Sequence, residues 1–519
     1  MQKEKPGLDL SLYLVTQREA LPTGVSFERN IEQAILGGVT VVQLREKHAD
    51  TGPFLDLAMR AKAICDKYSI PLIINDRLDI CLSIGASGIH VGQSDLPCSI
   101  ARKILGPSAY IGVSVNTVEE AQKAVEDGAD YVGIGPCFVT KSKSDIKGLL
   151  GTAGVAEIVD CLPKEVGCVT IGGISEMNVW RIMHGTVGTN TGRCLDGIAV
   201  ISAIVSSIEP REASKRLSEE VDAFKTSHKD FCATREVQSI DSILKVAGNL
   251  FEKMRQSPKV VQQITNTVVQ NDSANLTLAL SSSPIMSSSQ AEAEDLSKII
   301  GSLVVNLGTL NPEQVDGMRV SGQFANQQKR PVVFDPVGVG ASTLRKETTK
   351  ELLAHWQVSV IKGNAGEIAT LSGFSGAQSR GVDSVGAVSN PSQVALHLAR
   401  KEKCIVAMTG KEDYVSDGTS VYKISNGHKY LAAITGSGCM TGSAIACLAA
   451  QANNIHHCEH PDLLAATIAG LLLLEVAGEL AAERTETRGP GTFRAALIDE
   501  TFNLKWDVVL RRAKVERIV

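Results

Sequence analysis

PLIINDRLDICLSIGASGIHVGQSD, residues 71–95, carries the pattern that decides the fold. It opens on a near-continuous apolar run, PLIIND at 71–76, and closes on another, GIHVG at 88–92, with room for a helix between them. Runs without polar alternation read as parallel strands buried on both faces. Working outward, the same unit recurs. SLYLVT at 11–16 and VTVVQLRE at 39–46 precede it. YIGVSV at 110–115, YVGIGP at 131–136, CVTIGG at 168–173 and GIAVIS at 197–202 follow it. Eight βα units in roughly 230 residues predict a closed (β/α)8 TIM barrel. An open doubly wound sheet is the competitor, but it usually carries a glycine fingerprint after its first strand. None follows Ser11–Thr16.

Beyond the barrel the composition shifts. EPREASKRLSEEVDAFK, from Glu209, is dense in charge and reads as a terminal helix, followed by a connector to about Gln238. A second α/β region then begins, with strand runs VVQQITN, LVVNLG (303–308), PVVFDP (331–336), VSVIKGN (358–364) and CIVAMTG (404–410). The Ser-rich stretch at 281–289 reads as a loop, and Gly436 through Leu480 as Ala-rich helix. Two α/β domains result, at 1–235 and 236–519.

Of the 519 residues, 43% are hydrophobic and 21% charged, which is ordinary for a globular chain. A net charge of -5 gives no electrostatic case for nucleic acid or an anionic membrane. The 12 cysteines include no CxxC pair, which excludes metal-finger spacing and suits reduced thiols. The charged start MQKEKPGLDL lacks a signal-peptide core. The longest apolar run, near Leu471–Leu474, is far short of the ~20 residues of a membrane span. A cytoplasmic protein is expected.

Chemistry in such a barrel sits at the carboxyl ends of the strands. Gln43, Arg45 and Lys47 alternate onto one face at the end of strand two. Asn75-Asp76, Gln93-Ser94-Asp95 and Ser114-Val115-Asn116 end strands three to five. GPCFVTKSKSD after strand six supplies Thr140, Ser142 and Lys143, and Gly173 and Ser202 end the last two strands. One such residue alone is ordinary rim polarity. Together they describe a site for two phosphorylated ligands and a hard cation. Asp76 and Asp95 suit Mg²⁺ shared with a pyrophosphate. Arg45, Lys47 and Lys143 can neutralise the pyrophosphate as it leaves. Free backbone N–H groups at Gly173 and Ser202 can hold a monophosphate.

In the back domain, AAITGSGCMTGSAIAC (432–447) is a Gly-rich turn opening a helix, which makes an anion site. Cys439 lies at that opening, where a helix N-terminus lowers a thiol pKa. VFDPVGVGAS puts Asp335 at a strand end, and IKGNAGEIATL puts Lys362, Asn364 and Glu367 after the next strand. Asp335 and Glu367 are reasonable Mg²⁺-side carboxylates, directly or through water. Thr409 ends another strand, where its hydroxyl can meet a nucleotide phosphate. GxxxxGK[ST] is absent, so a P-loop kinase is excluded.

QLREK, IND, HVGQSD, GPCFVTKSKSD, IGGI and VISAI, in that order over about residues 8 to 225, resemble thiamin phosphate synthase. The resemblance implies condensation of hydroxymethylpyrimidine diphosphate with a thiazole phosphate. By it, Gln43, Arg45, Lys47, Asn75, Ser114 and Lys143 would hold the pyrimidine diphosphate, and Asp76 and Asp95 the Mg²⁺. Thr140, Ser142, Gly173, Ile201 and Ser202 would hold the thiazole phosphate.

NTVVQNDSAN, SSSPIM, NLGTL, DPVGVGAS, KGNAGEI, MTG and TGSGC, over roughly 240 to 510, resemble hydroxyethylthiazole kinase, of ribokinase-like fold. That implies ATP-dependent phosphorylation of the thiazole alcohol. Met286 and Gly436 would contact the thiazole and Lys362 and Thr409 the ATP, with Cys439 in the catalytic position. Together the two resemblances imply a bifunctional fusion of the fungal type. Kinase sites shared between subunits of a homo-oligomer are implied as well.

Two departures stand out. GTVGTNTGRCLDG at 185–197 is longer than the family's usual turn and is expected as a surface insertion away from the site. Lys362 stands where many relatives have Arg, which keeps the charge and loses the bidentate fork. A barrel isomerase joined to a sugar or pyrimidine kinase is one rival, and QLREK, TKSK and GSGC argue against it. A sensing or scaffolding protein with degenerate sites is another, opposed by intact Asp76, Asp95, Lys143 and Cys439.

Overall fold

In the computed structural model the eight front runs are strands that close on themselves in sequence order. They are β1 Leu12–Val15, β2 Val41–Leu44, β3 Leu72–Asn75, β4 Gly88–Val91, β5 Tyr110–Val115, β6 Tyr131–Ile134, β7 Gly167–Ile171 and β8 Gly197–Val200. Every neighbouring pair is parallel, and β8 returns to β1 through Leu14 opposite Val200. The structure describes residues 7–139, 148–234, 238–373, 378–380, 383–385, 390–452 and 461–519. The chain divides into two units, Met1–Thr226 and Ser227–Val519.

Strand alternation builds two cores in the front unit. Outward residues such as Leu12, Leu14, Val42, Leu44 and Ile74 pack under the surrounding helices. Inward residues form a smaller core of Leu10, Tyr13, Val41, Ile73, Tyr131, Val169 and Ala199. The charged stretch after Glu209 is the helix Pro210–Thr234, whose Leu217, Val221 and Phe224 seal against the outer core. The long turn before β8 lies at the amino end of the strands, opposite the polar strand ends. Asp160 clasps it by accepting from the Asn190 and Thr191 backbone N–H groups at 3.0 Å each. Residues 185–188 are buried, so the surface part is confined to its tip at 189–192.

The back unit has a nine-stranded mixed sheet. Its parallel part runs β10 Ser283–Ile285, β9 Val260–Ile264, β11 Ile300–Asn306, β12 Val332–Asp335, β13 Val360–Asn364 and then Ile405–Thr409. Asp413–Ser416, Val421–Ile424 and Val515–Arg517 continue it antiparallel. The stretch read as a Ser-rich loop thus contains a short edge strand, and the three antiparallel strands were not anticipated. Alternate strand residues feed two cores. Val261, Val304, Val333 and Val360 face the Ala-rich helices, and Leu303, Val305, Phe334 and Ile361 face the opposite layer.

The helix Asp462–Glu483 is long and apolar enough to cross a membrane, which the sequence reading missed. Its apolar stretch is 83% buried within the protein, the behaviour of a core helix. Chain order places β10 on one side of β9 and β11 on the other, which makes a switch point. Ligands of open α/β sheets bind at the carboxyl ends beside such a point.

Candidate active sites

At the barrel mouth, β2 delivers Gln43 buried, Arg45 half-buried and Lys47 exposed, a gradient set by where the strand leaves the barrel. Burial lowers the Arg45 pKa, opposed by the nearby carboxylates of Glu19, Asp95 and Glu46. Asp76 follows β3 with φ +64°, a left-handed conformation unusual for a residue with a side chain. Its backbone N–H donates to the His90 carbonyl at 2.9 Å, which fixes it in place. Burial, and then the neighbouring Asp95 carboxylate, raise the Asp76 pKa against the pull of Arg77 and Lys47. Two like charges are thus held together with cations around them. Asp95 accepts from the Gly92 N–H at 2.7 Å, which orients it on the loop after β4. Among the described residues no group of three or more His, Cys, Asp or Glu is arranged to hold a metal ion. A carboxylate pair suits a cation that takes its other ligands from phosphate and water.

The ends of β7 and β8 line a cavity of about 50 Å³ with Gly135, Gly172, Gly173, Ile201 and Ser202. A Cβ at Gly173, φ +67°, would lie 2.6 Å from the Val139 carbonyl oxygen, so the cradle needs glycine. Ser202 opens the turn Ser202–Val205, whose first N–H groups have no intrahelical acceptor. Thr140, Ser142 and Lys143 lie outside the described residues.

The back site gathers at the carboxyl ends of β9, β11, β12 and β13. Asp335 is fully buried, with Lys362 Nζ 3.0 Å away. Lys362 also donates to the Gly438 carbonyl at 2.9 Å, tying the strand to the glycine turn. Asn306 donates to Asp335 at 2.9 Å and approaches the Cys439 sulfur at 3.3 Å. Asn266 donates to Asn306 at 2.9 Å and lies 3.5 Å from the same sulfur. Gly436 caps the helix Ser437–Ala449 at φ +84°, and a Cβ there would overlap Val269.

Two expectations change. The Cys439 pKa is pushed up to about 11, because burial and the Asp335 charge outweigh Lys362 and the hydrogen bonds from Asn306 and Asn266. The thiol is therefore protonated at neutral pH. Glu367 spends both carboxylate oxygens on backbone, accepting from Gly338 and Asn364 at 2.8 Å each. It completes a capping box with Asn364 and clamps the Asp335 loop. A direct metal contact would have to break those bonds. Burial, then Asp335, raise its pKa to about 7.

Thr409 donates to the Gly363 carbonyl at 3.3 Å, beside the end of β13. Met286 follows β10 at the sheet edge, half-buried. Asn266 and Asn306 had no assigned role, although each opens a quoted motif, NTVVQNDSAN and NLGTL. A carboxamide at the carboxyl end of a buried strand was the available signal.

A profile of the thiamine monophosphate synthase family matches residues 12–204, and one of the hydroxyethylthiazole kinase family matches 251–507. The probable thiamine biosynthetic bifunctional enzyme of Schizosaccharomyces pombe is 39% identical, covering 99% of each chain. The thiamine biosynthetic bifunctional enzyme of Saccharomyces cerevisiae is 35% identical over 98% of this chain and 99% of that one. A hydroxyethylthiazole kinase from Desulforudis audaxviator is 43% identical over 52% of this chain and 95% of its own.

Proposed function

The chain belongs to the family of thiamine biosynthetic bifunctional enzymes, and from that premise we propose how its two sites divide the work. The front unit is a thiamin phosphate synthase and the back unit a hydroxyethylthiazole kinase with ATP as co-substrate.

In the front site the thiazole nitrogen attacks the pyrimidine methylene. The carbon–oxygen bond to pyrophosphate breaks, and its electron pair leaves on the pyrophosphate. Arg45 and Lys47 face that growing charge, joined by Lys143 from the sequence reading. Asp76 and Asp95 would hold Mg²⁺, which supplies further charge neutralisation when bound. Gln43, Asn75 and Ser114 orient the pyrimidine. Gly173, Ile201 and Ser202, with Thr140 and Ser142, hold the thiazole phosphate. The observation that carries this reading is the Asp76–Asp95 pair placed with Arg45 and Lys47 at one barrel mouth.

In the back site the thiazole alcohol attacks the terminal phosphorus of ATP. The bond from that phosphorus to the bridging oxygen breaks with its electron pair leaving on ADP, and the alcohol proton passes to an oxygen of the transferred phosphoryl group. Phosphoryl transfer needs mainly positioning and charge stabilisation. Met286 and Gly436 position the thiazole, and Lys362 and Thr409 the nucleotide. With its proton in place, Cys439 acts as a positioned donor and small packing group rather than as a thiolate. Asp335 is the carboxylate available to Mg²⁺, and Glu367 supports it through the loop.

We place the domain boundary near 235, at the end of the helix Pro210–Thr234, within which the two compact units part between Thr226 and Ser227. The protein is a cytoplasmic homo-oligomer with kinase sites at subunit interfaces, acting on small molecules and on neither membrane nor nucleic acid. Incubation with hydroxyethylthiazole, ATP, the pyrimidine diphosphate and Mg²⁺ should yield thiamin phosphate. Thiazole phosphate accumulating without condensation would refute the front-site assignment. Light scattering of the purified chain tests the oligomer, and a monomer with full kinase activity would refute the shared sites.

A further inference from the structure

Beneath the front site an unbroken polar chain crosses the barrel interior. Gln43 Nε2 lies 2.9 Å from the Tyr13 hydroxyl, and that hydroxyl lies 2.7 Å from the hydroxyl of Tyr131. Tyr131 meets His90 Nδ1 at 3.2 Å, and His90 Nε2 meets Ser114 Oγ at 2.9 Å. Gln43, Tyr13, Tyr131 and His90 are all buried. Space for the chain is written into two strands. A Cβ at Gly112 would overlap the Tyr131 hydroxyl and lie 2.5 Å from His90 Nδ1, and one at Gly133 would lie 3.2 Å from His90 Cε1. A glycine inside a strand weakens it and marks a close approach. Burial also raises the pKa of both tyrosines, so the hydroxyls stay neutral.

Each hydroxyl carries one proton, so the chain has two self-consistent directions. An amide nitrogen only donates. With Gln43 Nε2 toward Tyr13, Tyr13 donates to Tyr131 and Tyr131 donates to His90 Nδ1. His90 then donates from Nε2 to Ser114, which leaves the Ser114 proton for the site. With the amide turned over, every donor reverses. The His90 proton moves to Nδ1, and Ser114 spends its own proton on His90.

We propose that this chain selects the pyrimidine edge the site accepts, with Tyr13 and Tyr131 as positioning residues that do not touch substrate. The inference rests on reading Gln43 and Ser114 as pyrimidine-side groups. A 4-aminopyrimidine presents a ring-nitrogen acceptor beside an amine donor. Tying one amide N–H to Tyr13 leaves the Gln43 carbonyl and second N–H as the matching pair. The reversed amide matches a 4-oxo ring, whose ring N–H and carbonyl exchange those roles. A site built for one pattern leaves buried polar groups unpaired when it meets the other.

Tyr13→Phe removes the hydroxyl and keeps the ring. It should lower synthase kcat/KM about tenfold, one hydrogen bond's worth. It should also narrow discrimination against the 4-oxo pyrimidine diphosphate by a similar factor. Nitrogen-15 NMR of the histidine-labelled full chain, assigned with His90→Gln, should find the wild-type His90 proton on Nε2. Gln43→Glu, whose oxygens only accept, should move that proton to Nδ1.

A wild-type proton on Nδ1, or a tautomer unmoved by Gln43→Glu, overturns the proposal. So does unchanged discrimination in Tyr13→Phe. Should Tyr13→Phe fail to fold, the two NMR outcomes still decide. Gln43→Ala separates this inference from its premise. If Gln43→Ala leaves the pyrimidine diphosphate kinetics intact, the site reading itself fails. If it cripples them while Tyr13→Phe does not, only the chain fails.

Discussion

At the barrel mouth, Asp76 and Asp95 stand as like charges, and burial, then their repulsion, raises the Asp76 pKa. In the back unit, Asp335 is fully buried, yet it has its counter-charge built in, with Lys362 Nζ at 3.0 Å. Under the proposed function, a bound cation would relieve the repulsion at the first site. The other is balanced before any ligand arrives, so its ligands must work against an existing pairing. The difference follows from depth. Half-exposed carboxylates can tolerate repulsion because water screens them, whereas a buried one needs a partner.

The largest effect should come from removing the unbalanced charge. Asp76→Ala should cut thiamin phosphate formation about a thousandfold and leave thiazole phosphorylation at its wild-type rate, measured on the same preparation. Loss of both activities would break the independence of the two sites. Lys362→Ala attacks the balanced site and should destabilise the back unit by about 3–5 kcal/mol, because it strands a buried Asp335. Denaturant unfolding reads this, and a shift under about 1 kcal/mol would show that the pair is not what holds Asp335.

Next in size, Cys439→Ser should slow the kinase about tenfold, well short of losing a base. Iodoacetamide should label Cys439 only as pH approaches 11, and rapid labelling at pH 7 would restore the thiolate reading. The smallest effect concerns Glu367. Its folded pKa, about 7, lies above the usual carboxylate value of 4.5, so the folded state holds the proton more tightly. That contribution to stability is present below about 4.5 and is lost as pH rises to about 7. Glu367→Gln should flatten the fall in unfolding midpoint over that window, and an unchanged slope would place the titration elsewhere.

The same contrast governs what the sequence could reveal. All eight barrel strands were legible because each is an apolar run with a polar end. Strand ends are where a barrel shows its chemistry, so Gln43, Asp76 and Asp95 could be picked out individually. Tyr13, His90 and Tyr131 were not, because they lie inside the runs and look like core. In the back unit, Ser283–Ile285 hid behind three residues with a central proline. DYVS, VYKI and VER were too short and too polar to read as strands. The glycine turn and Cys439 were visible, but the thiol's charge state was not. Sequence shows a helix start, whereas the pKa depends on burial and on Asp335, 104 positions away. Glu367 was likewise visible as a carboxylate, while its two backbone donors were not.

Separation along the chain also sets when each site comes into being. The barrel closes once β8, at Gly197–Val200, can reach β1. The Cys439 sulfur, by contrast, meets Asn306 and Asn266, which lie 133 and 173 positions earlier. At about 5–20 residues per second during synthesis, the nascent chain can finish its barrel while the kinase site still lacks its last strand and helix. The residues that close the barrel therefore leave the ribosome before those that complete the Cys439 cluster, by on the order of ten seconds or more.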